Sequence, residues 1–105
     1  MPGSAQDDID AIDKKLKEIE TRVEGLHQAK AAPGNEQAFA IGVSQLDADL
    51  KNCQDSRTKL GSLLKDLAAG HATADAVTAA IGTLTQAVSD LEASVAKSEA
   101  LAAQG

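Results

Sequence analysis

The stretch FAIGVSQLDADLKNCQDSRTKLGSLLKDL, residues 39–67, decides the fold of this 105-residue chain. Apolar side chains recur in this stretch at alternating spacings of four and three residues, and Arg57 is the one exception in the series. The residues of the series are Phe39, Val43, Leu46, Leu50, Cys53, Arg57, Leu60, Leu64 and Leu67. A repeat every 3.5 residues places one stripe along one side of a helix, and such stripes pack against each other. The stretch therefore predicts a long helix with one buried side.

The same repeat occurs on both sides of this stretch. Before it stand Ile9, Ile12, Leu16, Ile19, Val23 and Leu26. After it stand Val77, Ile81, Leu84, Val88, Leu91 and Val95, and the pattern then weakens to Ser98 and Ala102. We expect three helices, at about residues 4–31, 35–69 and 73–103, in a single domain that spans residues 1–105.

Two short turns separate the helices. Pro33-Gly34-Asn35 is typical of a turn, with Asn35 at the position that caps the second helix. Gly70 favours the left-handed backbone that ends a helix, and Thr73 is a good cap for the third. Short links make consecutive helices antiparallel neighbours. The sequence predicts an all-α, antiparallel up-down-up three-helix bundle with coiled-coil-like heptad packing. A longer helical hairpin that dimerises is the alternative.

The short turns also predict which seam residues lie level. Antiparallel pairing at the first turn places Leu16 beside Cys53. Pairing at the second turn places Cys53 beside Leu91 and Leu60 beside Leu84. A free thiol on a seam behaves as a small hydrophobe, so we expect Cys53 to be buried and structural, with a reactive or intermolecular thiol as the alternative.

Arg57 is the one charged residue in the middle of a seam. A buried guanidinium is costly unless it is paired, so its side chain should reach solvent or meet a carboxylate. The register places Asp8 and Asp13 near it, and we expect one of them to be the partner. The simplest interpretation is a polar layer that sets the register, and a functional role is the alternative.

The first helix is predicted to be too short to cover its neighbours. In this register, no residue of the first helix lies level with the C-terminal end of the second helix and the N-terminal end of the third. An apolar groove between these two ends would therefore be open to water. The residues predicted to line this partner-binding groove are Leu63, Leu64, Leu67, Val77 and Ile81. Contiguous exposed apolar surface usually has a partner. Two alternatives close the groove: Met1 to Gln6 extends over it, or the register slips by one heptad.

Small and uncharged residues characterise the outer side of the third helix. They are Ala79, Gly82, Thr83, Gln86, Ser89, Ala93, Ala96 and Ala100. Such residues permit close approach of another helix, although Ala is also simply the best helix former. Four glycines inside the helices, Gly25, Gly42, Gly61 and Gly82, each cost up to about 1 kcal/mol relative to Ala. They indicate either close contacts at some positions or a modestly stable domain.

Composition argues against several classes of protein. The net charge of −6 and the lack of aromatic residues other than Phe39 exclude the usual nucleic-acid interfaces. The acidic balance also counts against stable membrane binding. The N-terminus lacks the features of a signal peptide, so a cytoplasmic location is expected, with signal-less export as the alternative.

No motif for catalysis or for a bound group is present in the sequence. The single cysteine excludes an internal disulfide and a cysteine-based metal cluster. His27 and His71 stand near helix ends without metal-ligand spacing, and no phosphate loop, zinc motif or calcium loop occurs. We therefore expect no enzyme, no cofactor, no metal and no small-molecule substrate.

The expected function is that of a non-enzymatic protein–protein interaction or assembly module. It would bind a partner helix, or self-associate as a homo-oligomer, through the apolar end of the second and third helices. One alternative is a surface-active amphipathic protein that coats a lipid or granule surface. Another is a secreted or virion structural component.

Overall fold

A computed structural model describes residues 4–103 of the chain as three helices. They are α1 (Ser4–Gln28), α2 (Glu36–Ala68) and α3 (Ala74–Leu101). The molecule is a rod with extents of 55 × 22 × 17 Å. The predicted all-α three-helix bundle is confirmed, and each helix is slightly shorter than its sequence pattern suggested.

The turn residues end the helices largely as predicted. Gly34 and Gly70 have positive φ angles of 88° and 82°, which glycine adopts without strain. The Thr73 hydroxyl accepts a hydrogen bond from the backbone N–H of Ala76 at 3.1 Å and so caps α3. Asn35 precedes α2, but its side chain makes no capping hydrogen bond. Asn35 is therefore confirmed as the N-cap residue of α2, although its side chain does not satisfy a backbone N–H of the first turn.

A short backbone contact joins the first turn to the end of α3. The N–H of Ala32 donates to the carbonyl of Leu101 at 2.9 Å, and the N–H of Ala103 donates to the carbonyl of Lys30 at 2.7 Å. Ala31 and Ala102 thereby form an isolated antiparallel bridge. We call residues 30–32 and 101–103 the clasp. It explains why α3 ends at Leu101 and not near residue 103, because Ala102 takes an extended conformation to pair.

The buried residues follow the repeat in all three helices. The six seam residues of α1 are buried, as is the α3 seam from Val77 to Val95 together with Ser98. On α2 the buried seam residues are Phe39, Val43, Leu46, Cys53 and Leu60. Full burial of one Leu, Ile or Val side chain contributes about 1.5–3 kcal/mol, so this largely aliphatic core, with Phe39 as its one aromatic residue among those described, stabilises the bundle.

Cross-helix contacts give the directions of the helices. Between α1 and α2, partner numbers on α2 fall as those on α1 rise, which is the order of antiparallel helices: Asp13–Arg57, Glu20–Gln54 and His27–Asp47. Between α1 and α3 both numbers rise, as for parallel helices: Lys15–Glu92 and Arg22–Glu99. Across α2 and α3, Cys53 and Leu91 line one surface hollow, and Leu60 and Leu84 line another. The register predicted for the second turn places the same residues together.

Candidate functional site

The predicted groove is largely closed at its α3 side. Val77 and Ile81 are only 3% and 6% exposed, so the expectation that they are open to water is wrong. At Ile81 the reason lies in the N-terminal part of α1, because Ala5 and Asp8 line the same surface hollow as Ile81. Met1–Gly3, part of the segment considered as an alternative cover, lie outside the described residues.

Three leucines of the predicted groove keep part of their surface. Leu63, Leu64 and Leu67 are half-buried and pack against the core from the C-terminal part of α2. The structure therefore divides the five predicted residues into two core residues on α3 and three half-buried residues on α2. The partner-binding role of these residues stays a prediction.

Leu63 belongs to a hollow of about 310 Å³ between α2 and α3. Its α2 side is formed by Ser56, Lys59, Leu60 and Leu63, and its α3 side by Ala79, Ala80, Thr83 and Leu84. Lys59 is the one charged residue of this lining. We call it the basic hollow.

A second hollow of about 270 Å³ lies farther along the same two helices. It is lined by Asp49, Asn52 and Cys53 on α2 and by Ala87, Asp90, Leu91 and Ser94 on α3. Its two charged residues are both aspartates, and we call it the acidic hollow. Neither hollow is lined by a described residue of α1. Both lie between α2 and α3, and we call the surface that carries them the α2–α3 face; its floor is apolar and its walls are mostly small residues.

Small residues bring α2 and α3 into close contact. A Cβ atom built on Gly42 would lie 2.8 Å from the Oγ atom of Ser98, a side chain that is itself buried. No neighbouring atom lies within 4 Å of such a Cβ at Gly25 or Gly82. Close approach of a neighbouring helix, one of the two interpretations of the helix glycines, therefore holds at Gly42. At Gly25 and Gly82 the space around the glycine is open.

Cys53 forms part of the floor of the acidic hollow as an inert thiol. Its side chain is buried, with 5% exposure. Burial raises the pKa of the thiol, and the neighbouring negative charge of Asp49 raises it further. A neutral thiol is a weak nucleophile, so the packing role predicted for Cys53 fits its surroundings.

Arg57 is held by α1. Its Nε donates to Oδ1 of Asp13 at 2.6 Å and its Nη2 donates to Oδ2 at 3.1 Å, a bidentate pair. These hydrogen bonds raise the pKa of the guanidinium, and the charges of Asp13 and Asp10 add to the effect. Asp13 is thus confirmed as one of the two predicted partners, and Asp8 is not the partner.

Ion pairs also border the contact between α1 and α3. Nζ of Lys15 donates to Oε2 of Glu92 at 2.8 Å, and Arg22 makes two hydrogen bonds to the carboxylate of Glu99. The hydrogen bond from each cation lowers the pKa of its glutamate partner. Within residues 4–103, by contrast, no side-chain hydrogen bond or ion pair joins α2 to α3.

Sequence reasoning missed one exposed apolar residue. Ile41 is 62% exposed and lies with Ala40, Ser44, Gln45 and Ala48 on the outer surface of α2. The signal was present, because Ile41 stands between two seam positions of the repeat, where a polar residue is usual. It is a single large side chain surrounded by small ones, and such isolated exposure is ordinary.

Metal-binding clusters and membrane-spanning helices are both absent from the described part of the chain. No three His, Cys, Asp or Glu side chains among these residues are grouped so that they could hold a metal ion. None of the three described helices combines the length and apolarity that crossing a bilayer requires. Comparisons with models of protein families, with curated protein sequences and with solved structures found no match.

Proposed function

We propose that this protein is a non-enzymatic protein–protein interaction or assembly module that uses the α2–α3 face to bind a partner helix or another copy of itself. The observation that carries the proposal is the half-buried Leu63 in the lining of the basic hollow, with two further half-buried leucines, Leu64 and Leu67, in the same C-terminal part of α2. An apolar side chain that keeps part of its surface gains free energy when a partner removes that surface from water.

The two sides of α1 support the choice of this face. Ion pairs to Arg57 on one side and to Glu92 and Glu99 on the other already occupy the edges of α1. A partner at either edge would have to displace or desolvate these charges. The α2–α3 face offers apolar floor, small walls and only three charged residues in its two hollows.

The finer parts of the proposal concern assembly and location. Partner and self-recognition would both use coiled-coil-like packing, in which side chains of one helix fit between those of the next. We place the protein in the cytoplasm, where a lone thiol such as Cys53 remains reduced.

The experiment that tests the proposal compares three variants on one helix. Leu63→Asp and Leu67→Asp place a charge at the half-buried end of α2, and Ile41→Asp places the same charge at an exposed site away from it. Association is measured by sedimentation equilibrium for self-binding and by capture of proteins from a cell extract on immobilised bait. Circular dichroism reports whether the helices persist.

We expect both leucine variants to lose the association that wild type and Ile41→Asp show, with helicity retained. The proposal is wrong if the wild-type protein neither self-associates nor captures a protein. It is equally wrong if all three folded variants associate as the wild type does, because the leucine end is then not the contact.

A further inference from the structure

We propose that the occupant of the α2–α3 face is a second copy of this chain that runs antiparallel, with the acidic hollow of each copy over the basic hollow of the other. The proposal rests on the proposed function, since it names the partner and the geometry for the same face. It is carried by the distribution of charge, by the polar contacts that these charges already make, and by the length of the rod.

The charges of the two hollows are complementary end to end. Asp49 and Asp90 are the charged residues that line the acidic hollow, and Lys59 is the one that lines the basic hollow. A twofold axis midway between the hollows and perpendicular to the helices exchanges them, so each acidic end meets a basic end. A parallel second copy would instead place acidic on acidic and basic on basic, which like-charge repulsion disfavours.

These charges differ from those around α1 in having no ionic partner among the described residues. Asp49 accepts a hydrogen bond from Gln45 at 3.0 Å, and Asp90 accepts one from Gln86 at 2.9 Å, both neutral donors on the same helix. Lys59 makes no ion pair within residues 4–103. A second copy in the antiparallel orientation would supply the missing opposite charges at both ends.

The rod leaves room for a dimer contact beyond the two hollows. It is 55 Å long with a cross-section of 22 × 17 Å. A standard interface takes about 800 Å² from each partner, so the contact would have the hollows at its centre and extend along most of one long side. Ser56, Ala80, Ala87 and Ser94 are small, so they let a second pair of helices approach the apolar floor closely.

The test uses charge reversal in both directions. Lys59→Glu makes both hollows acidic, and Asp49→Lys with Asp90→Lys makes both basic. Each variant alone should be monomeric by sedimentation equilibrium at low ionic strength, at concentrations where wild type is dimeric. An equimolar mixture should regain dimers, because one face is now wholly negative and the other wholly positive. Lys14→Glu, the same change on exposed Lys14 of α1, should leave the wild-type dimer unchanged.

Orientation is tested by cross-linking in a Cys53→Ala background. Ala79 lines the basic hollow and Ser94 the acidic hollow, both on α3. In the antiparallel dimer, a short thiol-reactive cross-linker should join an Ala79→Cys chain to a Ser94→Cys chain in a mixture. Neither variant should cross-link to itself. Circular dichroism verifies that each variant is folded.

Three outcomes overturn the proposal: a wild-type protein that is monomeric at all concentrations, a dimer that both charge reversals leave intact, and cross-links only between identical positions. Failure here is distinguishable from failure of the proposed function. If the leucine variants abolish binding to a different protein while wild type is monomeric, the interaction module stands and the antiparallel dimer falls.

Discussion

The contacts of α1 with its neighbours and the contact between α2 and α3 are built in two different ways. α1 combines a buried seam with charged edges, where Arg57–Asp13, Lys15–Glu92 and Arg22–Glu99 cross to the other helices. The α2–α3 contact uses small residues that allow close approach, as at Gly42 and Ser98, with no cross-helix ion pair among the described residues. A partner at a charged edge of α1 must displace or desolvate ion pairs, whereas the α2–α3 edge has small residues, and its charged residues Asp49, Asp90 and Lys59 make no ion pair among the described residues.

The largest effect should come from a charge in the seam that all three helices share. Ile81→Asp removes a buried apolar side chain and leaves a carboxylate without a partner, which costs more than about 4 kcal/mol. Since a domain of this kind has a stability of about 5–15 kcal/mol, the variant should lose a large part of its free energy of unfolding, which urea unfolding at 25 °C measures.

Ile41→Asp is the matched control, because Ile41 is exposed on α2. Its free energy of unfolding should stay within about 0.5 kcal/mol of wild type. An Ile81→Asp protein as stable as wild type would mean that Ile81 lines an open groove, as the sequence first indicated, and that α1 does not cover it.

The second effect tests the close approach of α2 and α3. Gly42→Ala adds a methyl group 2.8 Å from the Ser98 Oγ position and should destabilise the protein by about 1–2 kcal/mol. In a Ser98→Ala background the obstacle is gone, and the same change should be neutral or stabilising because Ala is the better helix former. Urea unfolding of the four proteins in this cycle measures the coupling.

Gly82→Ala is the control for this cycle, since no atom lies within 4 Å of the position that its added methyl group would take. It should stabilise the protein by up to about 1 kcal/mol. If Gly42→Ala and Gly82→Ala stabilise equally, the two helices are not in close contact at Gly42.

The features that depend on the type of side chain at a position could be predicted from the sequence. The repeat identified the core positions, because burial on one helix side requires apolar residues at that spacing. It also identified Arg57 as a misfit in the seam, and the register was good enough to place Asp13 beside it. Lys59, Asp49 and Asp90 could be found in the sequence, but their grouping into two hollows required the packing of α2 against α3.

Other features had no such signal. The clasp is made by backbone groups of alanine, leucine and lysine residues, and nothing in their side chains marks a backbone pairing. The cover over Ile81 comes from Ala5 and Asp8, which precede the first seam residue of α1, Ile9, so the seam repeat gives no signal for it. Ile41 is different, because its position between two seam residues of the repeat does predict an exposed side chain.

The third effect concerns the charged edge between α1 and α2. The Arg57–Asp13 pair is bidentate but partly exposed, with 29% and 46% of the two side chains accessible, so solvent screening limits its contribution to about 1 kcal/mol. A cycle of Arg57→Met, Asp13→Asn and the double variant should show a coupling of that size, which a salt concentration of about 1 M should reduce. A coupling near zero would mean that the Arg57–Asp13 pair does not stabilise the protein. Charge at the edge would then not distinguish the contacts of α1 from the α2–α3 contact.

The smallest effect is the pH dependence of the charged edge between α1 and α3. The hydrogen bonds from Arg22 lower the pKa of Glu99 in the folded protein below its ordinary value of 4.5. A carboxyl group with a lowered folded pKa stabilises the protein above its unfolded pKa, and this contribution is lost as the pH falls through the lowered value. Glu99→Gln should therefore be less stable than wild type at pH 7, by about 0.5 kcal/mol for such an exposed pair.

The difference between wild type and Glu99→Gln should shrink as the pH falls below 4.5 and vanish once Glu99 is protonated. Thermal unfolding from about pH 7 to about pH 2 measures it, with Glu24→Gln as the control, since Glu24 is exposed on α1 and has no ion pair among the described residues. A Glu99→Gln difference that persists at the acidic end of this range would show that the side chain acts through packing. The edge of α1 toward α3 would then resemble the α2–α3 contact, and charge would no longer distinguish the α2–α3 face as the proposed partner surface.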